Sequence, residues 1–223
     1  MSIAPGRTAA PPQRGVPTPG PASPGVHGWA PPGPEAWGTV ANWVTAFRTV
    51  AGVALAIVAL TTGSWVLLGA AYAVYWVGDT ADGFAARLLD QETRRGGVGD
   101  IVCDRLCTGA CAAALVVMAP WTWPAVAVFL VQFAVVDLWL SLCFLRWPLL
   151  SVNYFWLVDR PLYLWNWSPP AKAVNTTGLI VILVATGSAA AGAIFALAGL
   201  AAKVASASRM RRLLSERDRP ATS

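Results

Sequence analysis

Stretches of roughly 17 to 25 residues that are almost free of charge recur along this chain, each long enough to cross a hydrocarbon core of about 30 Å. They dominate its 223 residues, of which 56% are hydrophobic and 12% charged. A soluble domain is less apolar than this, and a disordered chain carries more charge. A strand-built barrel would show alternating polar residues, whereas these runs are apolar all round. The sequence therefore predicts an all-α integral membrane protein, with six transmembrane helices and a polar cavity facing the cytoplasm.

The first span is expected from near Asn42 to about Leu60, closed by Thr61-Thr62-Gly63-Ser64. The second starts at Trp65 and continues to Arg87. A polar link, Asp90 to Gly97, leads to a third from about Val98 to Met118. Pro120 and Pro124 frame the next turn, and a fourth span covers roughly Trp123 to Leu145. Between Arg146 and Pro170, Trp147, Trp156, Trp165 and Trp167 mix with Asp159 and Arg160. Trp and Tyr favour the headgroup layer, so this stretch is expected to anchor along the interface. Ala171 to Ser206 as one helix would reach roughly 54 Å at about 1.5 Å per residue, beyond one bilayer core. A hairpin at Gly187-Ser188 would split it into two spans.

Charge placement decides between five spans and six. With six, the 16 Lys and Arg gather on one side, and the opposite loops (Thr61 to Ser64, Ala119 to Thr122, Gly187-Ser188) carry none. With five, Arg209, Arg211 and Arg212 would cross to the far side. The positive-inside rule favours six spans in the cell membrane, with both termini cytoplasmic. The net charge of +5 thus serves orientation, and no nucleic-acid partner is expected.

Residues 1–38 hold ten of the 17 prolines and cannot build a packed core, so they are expected to form a flexible tail rather than a secretory signal. The membrane domain is expected over 39–206 and a basic cytoplasmic tail over 207–223. Cys103, Cys107, Cys111 and Cys143 lie in apolar segments without paired CxxC spacing, which indicates neither a disulfide framework nor a zinc site.

Where the second and third spans meet, the chain reads Asp79-x-x-Asp82-Gly83-x-x-Ala86-Arg87, eight residues, then Gly96-x-x-x-Asp100-x-x-x-Asp104. Positions i, i+3, i+4 and i+7 share a helix face. Asp79, Asp82, Gly83 and Ala86 therefore line one helix, and Gly96, Asp100 and Asp104 line the next. A short link makes the helices antiparallel neighbours, so four carboxylates converge. Such charges at the mouth of a membrane segment are costly, and all-oxygen donors suit hard divalent cations, two of which would neutralise them most fully. Small residues leave room for a nucleotide or a second helix, and Arg87 can grip a phosphate with two prongs. The only histidine, His27, falls in the tail, which leaves proton transfer to carboxylates.

This pattern resembles the signature of the CDP-alcohol phosphatidyltransferases, DxxDGxxAR, a short link, then GxxxDxxxD. Every signature position is matched, and Asn42, Thr45 and Arg48 resemble the family's usual start of the first span. The resemblance implies an enzyme of phospholipid biosynthesis that moves a phosphatidyl group from CDP-diacylglycerol to a small polar alcohol and releases CMP. It implies that Asp79, Asp82 and Asp100, with Asp104, hold Mg2+ or Mn2+, two ions being expected, and that Asp104 takes the proton from the acceptor hydroxyl. Gly83, Ala86, Arg87 and Gly96 would meet the nucleotide, and Lys172 stands where the family often has a lysine near a phosphate. Membrane lipids surround such enzymes, and pairing into a homodimer is a further expectation from the family.

Gln91, Thr93, Thr108 and Asp137 resemble the phosphatidylinositol synthase branch, which implies inositol or inositol phosphate as acceptor. Glycerol 3-phosphate is the alternative, although Arg105 follows Asp104 where many such enzymes have lysine. Asp137, in mid-span, either binds acceptor hydroxyls or serves as the partner of an arginine. A non-catalytic scaffold of the same fold and an ion transporter are the competing classes. The intact aspartate set speaks against the first, and the lack of an internal repeat speaks against the second.

Overall fold

A computed structural model describes residues 28–30 and 35–219, and these form helices and connecting turns without a strand. Helix α1 (Val40–Thr62) begins where the Thr39 hydroxyl accepts a hydrogen bond from the Asn42 amide at 3.1 Å. Ser64 caps α2 (Trp65–Leu88) and Thr93 caps α3 (Arg94–Met118) in the same way, each satisfying an amide that a helix start leaves free. Helix α4 occupies Pro120–Arg146 with a widened, π-type turn at Gln132–Asp137. A short 3-10 turn at Val152–Leu157 leads to α5 (Arg160–Asn166), α6 (Pro169–Thr186) and α7 (Ala189–Arg217).

Helices α1, α3, α4 and α7 are long and apolar enough to cross a membrane, with mean hydropathy between 1.7 and 2.2. Helix α2 spends its last turns on the charged motif, and α6 opens on Lys172, Asn175, Thr176 and Thr177, so neither reaches that apolarity. Large side chains including Trp43, Phe47, Val66, Val184 and Ile194 point outward. Such a shell suits hydrocarbon rather than water. The run from Ala171 to Ser206 is two helices: Gly187 takes a left-handed φ of 59° that ends α6, and Ser188 caps α7.

Two groups of helices pack differently. Helix α1 lies along α2 and α3 through a stripe of Ala41, Thr45, Thr49, Gly52, Ala56 and Ala59, all buried. Lipid tails are as apolar as leucine, so helices in a membrane associate where small residues let backbones approach. Helices α4, α6 and α7 instead interlock bulky groups, Phe129, Phe133, Leu179 and Leu183 against Ala125 and Ala196. A third cluster joins the ends of α4 and α7 to the segment between α4 and α6, where Trp147 and Trp167 flank Phe155 at 5.2 and 5.0 Å between ring centres.

That cluster corrects the expectation of an interfacial anchor. Trp156 and Trp165 are exposed, as an anchor requires, but Trp147 and Trp167 are buried in packing. Part of the expected flexible tail is also held. The Ala30 amide donates to the Pro148 carbonyl and the Leu150 amide to that of Gly28, both at 2.9 Å, and the Arg95 amide donates to Glu35 at 2.8 Å. His27 and the rest of 1–34 apart from Gly28–Ala30 lie outside the described residues. The basic segment after 206 continues α7 to Arg217, where Arg209 grips Asp159 through Nε and Nη2 at 3.0 and 2.9 Å.

Candidate active site

Helices α2 and α3 present their aspartates to one another as the spacing predicts. Carboxylate oxygens of Asp79, Asp82 and Asp100 lie within 4.8 Å of one another. Asp104 sits one turn further along α3 and joins them through a residue of α1. Arg48, 2% exposed, donates from Nε to Asp82 at 2.7 Å and from Nη2 to Asp104 at 3.0 Å, to Asp79 at 3.4 Å and to Asp100. The Thr45 hydroxyl adds a 2.7 Å bond to Asp82.

Close backbone approach makes this possible. A Cβ on Gly78 would stand 2.6 Å from Cβ and Cδ of Arg48, and one on Gly96 would stand 2.7 Å from Oδ1 of Asn42. Gly96 thus admits the neighbouring helix, one of the two uses expected for the small residues. Gln91 and Thr93 also have structural work: the Val40 amide donates to Gln91 at 2.9 Å, and Thr93 caps α3.

The donor set fits hard divalent cations. Four carboxylates surround one guanidinium, whose Nη1 is itself buried without a partner among the described residues. One positive charge cannot offset four negative ones, and Asp82 and Asp104 are only 6% and 18% exposed, where unbalanced charge is costly. Cations drawn to oxygen donors would complete the balance.

Two cavities open on the cluster. A narrow cleft of about 70 Å³ runs beside Asn42, Asp82, Gly83, Ala86, Arg87, Gly96 and Asp100. A wider one of about 440 Å³ is bordered by Asp79, Asp82, Asp100, Asp104, Arg105, Asp137 and Lys172. Gly83 and Arg87 border both. The residues given metal, catalytic or substrate roles from the sequence line one cavity or the other, whereas Arg48 and Thr108 line neither. The Lys172 ammonium donates to Asn153 at 2.8 Å, and Gln132 donates to Asn175 at 2.7 Å.

Asp137 has the arginine partner of the second reading and also lines the wide cavity. Arg105 Nη2 and Lys203 Nζ each donate to it at 2.5 Å, one to each carboxylate oxygen. Each oxygen thus accepts one charge-assisted bond and keeps a second lone pair. Lys203 is 5% exposed and was read only as part of the last apolar run. Arg48, Arg105 and Lys203 also leave the charge count made from the loops, since each lies in a membrane-length helix and is held by aspartate. A lone cation inside an apolar run, expensive unless paired, was the available signal for Arg48 and Lys203.

No curated protein and no solved structure matches the chain. The family model for CDP-alcohol phosphatidyltransferase matches residues 38–205, a span that takes in both cavities and the whole aspartate set. By that match, and with its signature aspartates gathered on one cavity, the chain belongs to the CDP-alcohol phosphatidyltransferases, a family of phosphotransferases.

Proposed function

We propose that this enzyme transfers the phosphatidyl group of CDP-diacylglycerol to a phosphorylated polyol, with inositol phosphate as the leading acceptor. The observation that carries this reading is the meeting of four carboxylates with a cavity whose wall bears Arg105 and Lys172. Asp79, Asp82, Asp100 and Asp104 would hold two divalent cations, Mg2+ or Mn2+. Bound there, the cations neutralise the charge that gathers on departing CMP.

The protein's own groups divide the remaining work. Arg87, with Gly83, Ala86 and Gly96 beside it, holds the nucleotide's phosphates in the narrow cleft. Asp104 accepts the proton of the acceptor hydroxyl. The freed oxygen bonds to the phosphatidyl phosphorus, and the bond from that phosphorus to the CMP oxygen breaks. Lys172 is bonded to a neutral asparagine, and Asp137 carries two cations, so the acceptor side has a positive excess. That excess favours an acceptor with a phosphate over free inositol or serine. Glycerol 3-phosphate satisfies the same charge and is the second reading.

Helices α2 and α6 join the four apolar helices in a six-span arrangement, with the cavities and both termini on the cytoplasmic side of the cell membrane. The Gly187 turn, which returns α7 to the side where α6 began, supports this layout.

The test is CMP release from CDP-diacylglycerol by the purified chain in detergent with Mg2+ or Mn2+. Inositol 1-phosphate, glycerol 3-phosphate, inositol and serine are supplied separately. Release driven by inositol 1-phosphate is the expected result. Release with serine or inositol alone would remove the charge argument. Silence with all four, from folded and metal-supplied protein, would remove the acceptor class.

A further inference from the structure

Three ionic side chains meet from three different helices, each long and apolar enough to cross a membrane: Arg105 of α3, Asp137 of α4 and Lys203 of α7. Their side chains are 13%, 7% and 7% exposed, respectively. Charges so little exposed within apolar helices are costly and point by default to a functional site.

The order within the trio is informative. Asp137 gives one oxygen to each cation, so Lys203 fixes the carboxylate and the carboxylate fixes the guanidinium. Arg105 is also clamped from the side, its Cζ lying 4.1 Å from the centre of the Phe133 ring, which stacks on Phe129 at 5.4 Å. A planar guanidinium held by a ring face and one carboxylate loses little freedom when it takes a further anion. Its Nε is buried and has no partner among the described residues. Arg105 and Asp137 border the wide cavity, and Arg105 directly follows Asp104 in the chain. The widened turn at Gln132–Asp137 ends on Asp137 and carries Phe133 as well, so one local distortion sets both supports of the guanidinium. Such turns are frequent at functional sites.

We propose that Arg105 determines acceptor specificity by meeting the acceptor's anionic group, and that Asp137 and Lys203 are positioning residues that hold its guanidinium at the cavity wall. This rests on the proposed transfer to a phosphorylated acceptor and adds the residues that read the phosphate. Asp137 then touches no acceptor hydroxyl, and its loss is felt through Arg105.

The experiment is steady-state CMP release by the full chain in detergent, varying inositol 1-phosphate and CDP-diacylglycerol in turn. Asp137→Asn alone leaves two buried cations unbalanced, so the deciding variant is Asp137→Asn with Lys203→Met, which keeps the trio's net charge. It should raise the acceptor KM by about tenfold or more while kcat and the CDP-diacylglycerol KM stay within about twofold. Asp137→Glu should restore most of the acceptor KM, and Arg105→Lys should not, since lysine has no fork. An unchanged acceptor KM in the folded double variant would overturn the proposal. So would a parallel loss of both KM values, kcat and thermal midpoint, which is the mark of a purely structural trio. A wild type active with inositol 1-phosphate but indifferent to these changes would sink the positioning role alone. A wild type inactive with every acceptor would sink the proposed transfer and this role with it.

Discussion

Two ionic clusters among the described residues, both at the wide cavity, are opposites. Around Arg48, four carboxylates share one cation, whereas around Asp137, two cations share one carboxylate. Neither is balanced within itself, and a buried imbalance is costly unless something else supplies the missing charge. The first asks for cations and the second for an anion. Both border one cavity, and on the proposed reading the pair would hold metal ions at one cluster and a negatively charged acceptor at the other.

The sharpest way to break this contrast is Asp104→Asn. If the anionic cluster is chemical rather than architectural, CMP release should fall by about 10²- to 10⁴-fold with the thermal midpoint unchanged. Near-normal turnover would make Asp104 one more structural carboxylate. Next in size is Thr45→Val, which deletes the hydroxyl that orients Asp82 and leaves the carboxylates in place. The Mg2+ concentration for half-maximal activity should rise by about tenfold, as for other losses of a ligand's supporting bond. A midpoint that does not move would show that Arg48 alone orients Asp82.

Gly78→Ala tests how Arg48 is seated. Its new methyl would meet the arginine stem, and the clash should lower stability by about 1–3 kcal/mol, read as a fall in thermal midpoint together with activity. The same substitution at Gly69, where no atom crowds an added Cβ, is the control and should leave both unchanged.

The smallest effect is expected away from both clusters. Tyr154 donates its hydroxyl to Glu92 at 2.5 Å, and burial, reinforced by that carboxylate, pushes its pKa above the ordinary tyrosine range. A group that binds its proton more tightly folded than unfolded contributes fully below the tyrosine range, and the contribution drains as pH climbs toward the raised value. Tyr154→Phe should therefore cost about 1 kcal/mol at neutral pH and flatten the loss of stability above about pH 10. An unchanged alkaline slope would assign that loss to other groups.

The anionic cluster was legible in the sequence because its members are close in the chain and helical periodicity alone aligns them. Asp79, Asp82, Asp100 and Asp104 span two adjacent helices joined by a short link, so topology left little freedom. The cationic cluster was not, since Arg105, Asp137 and Lys203 come from helices that are far apart in sequence, and periodicity carries no information about which distant helices touch. Arg48 lay between these cases: it belonged to the recognised start of the first span, but its place among the four carboxylates depends on the close packing that Gly78 permits. The aromatic segment misled for a third reason. Trp is amphipathic, and composition does not separate a ring left exposed, as Trp165 is, from one that seals a core, as Trp167 does.

The widened turn of α4 also governs how the gene for this protein can drift in length. Each residue rotates a regular helix by about 100°, so losing one residue elsewhere in α4 would swing Asp137 away from Lys203 or pull Phe129 from its neighbours. A π-type turn already accommodates one residue more than a regular turn needs. Removal of Ala134, inside that turn, would return α4 to regular winding and leave both of its halves in phase. The extra residue thus lies in the turn that carries Phe133 and Asp137 to Arg105, at the wall of the cavity.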